Sequence, residues 1–185
     1  MTSKIKQIGR WITFVLRHQP CEINLTLNRA ENSQIIDING YVLVSDLLEA
    51  AKIKLSDLND IVAADGKQRF AFSNDKLKIR ANQGHSTPLV NLELDVVVPP
   101  DILYHGTGIK FLKNIKKEGL KIMNRHHVHL SSNIETATQV GNRHGECFII
   151  KVDAKQMIKD GIDIYLSENK VWLTADISTK YLINI

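Results

Sequence analysis

Residues 96–101 read VVVPPD, and Pro99-Pro100 is the only adjacent proline pair in the chain. Two consecutive prolines remove two backbone donors and fix two φ angles, so neither a helix nor a central strand runs through them. The text changes character on either side of this break. A joint here divides the 185 residues into an expected first lobe, 1–95, and a second, 96–185.

In the first lobe, residues 4–18 set Ile5, Ile8, Trp11, Ile12, Val15 and Leu16 at helical spacing until Pro20 stops the pattern, with Arg17 nearly opposite the stripe. Residues 45–53 and 56–64 each open on a serine and carry apolar residues at helical offsets, which predicts two short helices capped by Ser45 and Ser56. KQRFAFSNDKLKIRA then alternates twice around Ser-Asn-Asp, the pattern of a β-hairpin. Helices followed by a hairpin predict a winged-helix-like lobe. The polar stretch NRAENSQIIDING, 28–40, is a loop or insertion.

The second lobe mixes elements. LYHGT reads as a strand end, FLKNIKKEGL as a helix stopped by Gly119, and HHVHLSS as a strand. Ser132 and Glu135 form a capping-box signature for a helix ending near Gly141. ECFIIKVDA is a buried strand, a short helix runs to Gly161, and DIYLS and KVWLT are joined at Glu168-Asn169. Strands this close together exclude repeated βαβ units, so the class is α+β.

The net charge of +4 suits an anionic partner such as RNA, a nucleotide or phosphate, as it suits many proteins without one. Cys21 and Cys147 have no paired spacing, which argues against a disulfide framework or structural zinc and for a reducing compartment. No signal-peptide pattern and no apolar run near twenty residues is present, so a cytoplasmic protein without a membrane span is expected, and no heptad run calls for more than a monomer.

Four cations stand in strongly polar settings: Arg17 in FVLRHQP, Lys67 and Arg69 in DGKQRFAF, and Arg125 in NRHHVHLSS. Strand alternation puts Lys67 and Arg69 on one face, with Gln68, Phe70 and Phe72 on the other. The same rule sets Arg125, His127 and His129 opposite His126, Val128 and Leu130. Each cation alone is equally well explained by a wet surface. A cluster of them is chemically sensible around a phosphate, because arginine offers forked donors and lysine a movable point charge. Two like charges ~4 Å apart repel by ~4 kcal/mol at an effective dielectric near ~20, so a cluster needs an anion.

IRANQGHSTP, 79–88, gathers Arg80, Asn82, Gln83 and His85 around Gly84, either as donors to sugar and phosphate oxygens or simply as a turn. His105 precedes Gly106, whose missing side chain lets backbone approach a ligand. Glu168 is the one acid weighed for catalysis, against a structural role in its turn. For His105, His127, His129 and His144, Arg125 would repel a metal cation and no acid or thiol completes a familiar spacing, so no metal is expected.

FVLRH, DGKQRF, IRANQGHS, LYHGT, RHHVHLSS and YLSENKVWLT, in this order and spacing, resemble the RNA 2'-phosphotransferase family over nearly the whole chain. Two departures are the length of NRAENSQIIDING and Lys170 where the pattern has glycine. The resemblance implies an N-terminal winged-helix RNA-binding lobe and a C-terminal ADP-ribosyltransferase-like mixed α/β lobe that binds NAD. The family's catalytic Arg-Lys-Arg-Arg set falls on Arg17, Lys67, Arg69 and Arg125. His105 and His129 correspond to the first two NAD-binding positions and Val171 to the third, with Gly106, Thr107 and Ser131 as further NAD contacts. His18, Arg80, Asn82, Gln83 and His85 are the implied RNA and phosphate contacts, and the implied substrate is a 2'-phosphorylated RNA such as spliced tRNA. Two other readings stay open: an ADP-ribosyltransferase modifying nucleic-acid ends or protein, and a non-enzymatic winged-helix RNA-binding protein.

Overall fold

The computed structural model describes residues 3–31 and 33–185; Met1, Thr2 and Asn32, the last within NRAENSQIIDING, lie outside the described residues. The chain forms two compact units, Met1–Glu93 and Leu94–Ile185.

The first unit is built on α1 (Ser3–Arg17), whose apolar stripe puts Ile12, Val15 and Leu16 at 0% exposure in the core. Pro20 does more than end α1: it occupies the N-cap position of α2 (Cys21–Thr26), a helix too short to show a period in the sequence. After the 28–40 segment come β1 (Tyr41–Leu43), α3 (Val44–Ala51) and α4 (Leu55–Ala63). Both helices start one residue before the expected serine caps. Leu43 and Lys54 hold the N-cap positions, and at α4 it is Asp57 that closes the end, its carboxylate accepting the Lys54 N–H at 3.0 Å. Strands β2 (Phe70–Phe72) and β3 (Lys78–Ala81) form the expected antiparallel hairpin, and β1 adds to its other side in the order β1-β3-β2. Val42, paired with Ile79, and Phe70, paired with Ala81, turn inward onto the helices.

In the second unit β4 (Ile102–Gly108) and β6 (Cys147–Asp153) pair antiparallel along their full length, from Ile102↔Asp153 to Gly108↔Cys147. Between them in the chain lie α5 (Leu112–Glu118), β5 (Val128–Leu130) and α6 (Ile134–Gly141). Then follow α7 (Ala154–Lys159), β7 (Ile164–Leu166) and β8 (Trp172–Thr174), and a second antiparallel sheet has the order β5-β8-β7. The two sheets join where Tyr104 and Ser131 exchange backbone hydrogen bonds of 2.8 and 2.9 Å. Leu103, Ile150, Val152, Ile164 and Ile177, all at 0% exposure, fill the core between the sheets and helices. The architecture is mixed helices and small antiparallel sheets.

The cap of α6 differs from expectation. Its N-cap is Asn133, whose Oδ1 accepts the Thr136 N–H at 2.8 Å, so Ser132 and Glu135 do not form the capping box. Ser131 explains the shift: its hydroxyl accepts the Asn133 N–H at 3.0 Å and donates to the Asn133 carbonyl at 2.9 Å, turning the chain one residue later.

Candidate active site

In the first unit, segment 82–86 organises the cationic residues. Gly84 has φ +87, open to glycine at little cost, and a Cβ there would sit 3.4 Å from the Arg17 guanidinium carbon. Its bare backbone therefore lies against the guanidinium at the end of α1. Ser86 completes the seam, its N–H donating to the Arg17 carbonyl at 2.9 Å and its hydroxyl bonding His18 Nδ1 at 2.8 Å. At the segment's other end Asn82 donates from its backbone to the Arg69 carbonyl (2.8 Å) and from its side-chain amide to the Gln68 carbonyl (2.7 Å). Arg17, His18, Lys67 and Arg69 thus belong to features tied to one short stretch of chain.

Lys67 and Arg69 do not sit on one strand face as alternation predicts. The strand begins at Phe70, and Gln68 adopts φ +47, a left-handed residue in the turn that precedes it. The turn is wound around Asp65. One carboxylate oxygen accepts the Arg69 N–H at 2.6 Å; the other accepts from Lys67 N–H (3.3 Å), Arg69 Nε (3.1 Å) and Arg69 Nη2 (2.9 Å). Sequence reasoning missed Asp65, and the signal was only an acid two and four residues ahead of two cations.

The remaining candidates of this unit are mostly internal. His85 is 2% exposed and packs against the Gly40 turn, and Asn82 is 6% exposed, so neither lies on an open polar loop. Arg80 lies 4.8 Å over the ring of Tyr41, its register partner on β1, and donates to the Asn39 carbonyl at 3.3 Å. Gln83 and Arg17 are half-buried, while His18 and Lys67 are exposed.

In the second unit the join between the sheets brings two histidines together. His105 Nδ1 donates to the His129 carbonyl, and His129 Nδ1 donates to the His127 carbonyl, both at 3.0 Å. A carbonyl only accepts, so both rings carry a proton on Nδ1, and in His105, which burial holds neutral, Nε2 is an acceptor. Burial pushes the His105 pKa down, and the charges of His144 and Arg125 press the same way against the His129 carbonyl. Burial also lowers His127, which meets Tyr165 edge-on at 5.6 Å.

Arg125 is exposed, and the alternating row expected from it to His129 is not formed. The strand covers only Val128–Leu130, while Met123 at φ +54 and the Arg125 N–H to the Ile122 carbonyl (3.1 Å) put Arg125 in a turn ahead of it. Val171 lies one register step beyond Leu130↔Trp172, at the position beside Ser131. Thr107 is 5% exposed. Gly106 is bare for α6 rather than for open space: a Cβ there would run into the Ala137 carbonyl. Glu168 is exposed at the β7–β8 turn. Among the described residues there is no group of three or more His, Cys, Asp or Glu side chains able to hold a metal ion, and no helix long and apolar enough to cross a membrane.

The arrangement offers, in one unit, guanidinium groups held by backbone and carboxylate, and in the other, two imidazoles fixed by backbone carbonyls, that of His105 neutral and within reach of the Arg125 charge. The first suits an anion with several oxygens, the second sugar hydroxyls beside an anion. Comparison with known proteins agrees in kind. Residues 3–176 match the model of the RNA 2'-phosphotransferase, Tpt1 / KptA family. A protein of Fusobacterium nucleatum subsp. nucleatum named "Probable RNA 2'-phosphotransferase" is 47% identical over 188 residues, covering 98% of this chain and 99% of its own length. Proteins of the same name from Hahella chejuensis and Flavobacterium johnsoniae are 44% and 43% identical, covering 98% and 96% of this chain and 95% and 94% of their own lengths. This chain belongs to the RNA 2'-phosphotransferase, Tpt1 / KptA family.

Proposed function

We propose that this transferase removes an internal 2'-phosphate from RNA, such as spliced tRNA, by passing it to NAD, which enters as a co-substrate. In this reading the first unit is a winged-helix-like RNA-binding lobe and the second an ADP-ribosyltransferase-like lobe, working as a cytoplasmic monomer. The observation that carries the reading is the match over residues 3–176 to a family named for RNA 2'-phosphate transfer. The donor set supports the NAD half: His105 and His129, each with Nδ1 turned to a carbonyl, fit ribose hydroxyls through Nε2. Gly106, Thr107, Ser131 and Val171 complete that side of the proposal. His18, Arg80 and Gln83 contact the RNA, and Asn82 and His85 serve it through the segment they build.

The reaction has two balanced steps. An oxygen of the RNA 2'-phosphate attacks the anomeric carbon of the nicotinamide ribose, the glycosidic C–N bond breaks, and nicotinamide leaves. The nucleophile is already an anion, so no carboxylate base is needed, and a second negative charge beside it would be unfavourable. The ribose 2''-hydroxyl then attacks phosphorus, and the bond from phosphorus to the RNA 2'-oxygen breaks. RNA leaves with a 2'-hydroxyl, and the other product is ADP-ribose 1'',2''-cyclic phosphate. Arg17, Arg69 and Arg125 hold the phosphoryl oxygens as charge builds on them. Lys67 stabilises or protonates the departing RNA oxygen.

Incubation with NAD and a short RNA carrying one internal 2'-phosphate tests this. The expected products are nicotinamide, RNA with a free 2'-hydroxyl and the cyclic phosphate, and Lys67→Ala is expected to accumulate the RNA-phospho-ADP-ribose intermediate. Stable ADP-ribosylated RNA or protein as the end product from the unaltered enzyme would favour an ADP-ribosyltransferase instead. RNA binding that survives Arg125→Ala, with no NAD consumed, would make the chain a binding module.

A further inference from the structure

We propose that Asp65 is a positioning residue for Arg69, fixing the direction in which its guanidinium meets the RNA phosphate; this rests on the role given to Arg69 above. The observation is an asymmetric ion pair. The Asp65 side chain is 5% exposed and the Arg69 side chain 35%, so the carboxylate lies beneath the guanidinium and the guanidinium faces outward. Asp65 follows the end of α4, whose Leu58 and Ile61 are buried in the core, and its own N–H donates to the Val62 carbonyl at 3.2 Å. The acid is thus anchored to the helix, and the arginine to the acid.

The contacts define which part of the guanidinium is left for a ligand. A guanidinium has five N–H donors in a fixed fork. Asp65 engages Nε and one Nη2 hydrogen, at 3.1 and 2.9 Å. The other Nη2 hydrogen and both Nη1 hydrogens remain directed away from the acid, a planar edge of the kind that accepts phosphate oxygens in pairs. An unrestrained arginine has several rotatable bonds to order when it binds; this one is ordered beforehand. The carboxylate also lies behind the guanidinium, where its charge opposes a bound phosphate less than it would at the front.

Turn formation alone does not account for the arrangement. The backbone N–H groups of Lys67 and Arg69 would be served by any acceptor at position 65, as in an ordinary Asx turn. The contacts to Nε and Nη2 fall on the oxygen that also accepts the Lys67 N–H, while the other oxygen serves the Arg69 N–H, so the guanidinium is held by a shared carboxylate charge that the turn alone does not need. Asp65→Asn separates the two roles: its carbonyl oxygen keeps one turn bond, while its amide NH2 faces the guanidinium with donors against donors. Asp65→Ser keeps the turn acceptor and removes the rest.

The experiment measures 2'-phosphate removal and thermal unfolding for Asp65→Asn, Arg69→Ala and the double variant. The expected result is near-normal unfolding for Asp65→Asn, a fall in kcat of about 10- to 100-fold with KM for NAD little changed, and no further loss when it is added to Arg69→Ala. Normal activity of Asp65→Asn, or losses that multiply independently in the double variant, would overturn the inference while leaving Arg69 in the reaction. Full activity of Arg69→Ala would remove Arg69 from the reaction, and Asp65 with it. Should Asp65→Asn fail to fold, Asp65→Ser and the unaltered protein decide. In arginine-labelled protein the Arg69 Nε–H, assigned by its loss in Arg69→Lys, should exchange with solvent more slowly than those of the exposed Arg10 and Arg143. Equal exchange would refute it.

Discussion

Replacing Gly106 by alanine tests how α6 is seated on β4. A Cβ at Gly106 would overlap the Ala137 carbonyl oxygen, approach its carbon to 2.6 Å and lie 3.0 Å from the Gly141 nitrogen. Comfortable separations between such atoms are ~3.5 Å or more, so the Ala137 carbonyl oxygen, met first, would require α6 to retreat by more than ~1.5 Å along this contact. Retreat would also pull Gly141 off the same sheet, where it packs so closely that a Cβ there would strike the Cys147 sulfur. All the first atoms met are backbone, which no rotamer change can relieve. Overpacking of this kind costs about 3 kcal/mol, and the gain of ~0.5–1 kcal/mol from a less flexible unfolded chain offsets only part of it. A net loss of about 2 kcal/mol corresponds to a fall of ~1 M in urea midpoint. The assay can be made specific for this unit, since one tryptophan, Trp11, lies in α1 and the other, Trp172, is buried in β8. In a Trp11→Phe background, fluorescence of Trp172 follows the second unit. An unchanged midpoint for Gly106→Ala would show that helix and strand do not touch in this way and would return the absence of a side chain at 106 to ligand approach.

Lys170 has φ +61 in the β7–β8 turn, a backbone conformation that glycine adopts at less cost; Lys170→Gly should raise the stability of the second unit by about 0.5–1 kcal/mol in the same assay, and a loss would count against strain there. Burial holds His105 and His127 below their ordinary value of 6.5, so the unfolded chain takes up these protons first. Their contribution to stability is complete above pH 6.5 and is lost as the pH falls toward the folded-state values. His105→Gln should therefore unfold with a weaker dependence on pH than the unaltered protein between about pH 7.5 and 5; an identical dependence would mean that His105 is not held neutral.

What the sequence shows clearly follows the physics of each signal. The stripe of α1 is legible because six apolar residues over four turns have no other common face, and the hairpin is legible because two alternating runs flank a turn with few options. Helix α2 and strand β1, six and three residues long, are shorter than any period that could announce them. The serines at 45, 56 and 132 are good caps by composition, yet each helix starts elsewhere. Tertiary packing chooses where a turn begins, and at Asn133 the neighbouring Ser131 hydroxyl moves the start by one residue.

The site divides along the same line. Residue types and order pointed to Arg17, Lys67, Arg69, Arg125, His105 and His129, because cations and imidazoles are few and their motifs are ordered. Their orientation was not legible, for strand alternation is a rule about uninterrupted extended backbone. A single left-handed residue cancels it: Gln68 at φ +47 releases Lys67 and Arg69 from a shared face, and Met123 at φ +54 begins the turn that keeps Arg125 off the strand. Once alternation is gone, something else must aim the side chain. At Arg69 that is the Asp65 carboxylate; at His105 it is the His129 carbonyl, brought there by the Tyr104–Ser131 pairing. Both partners lie outside the motif cations themselves, one in a turn that any acid could form and one on a backbone that every residue has. The side chains proposed to carry the chemistry are therefore easier to read from sequence than the groups that point them.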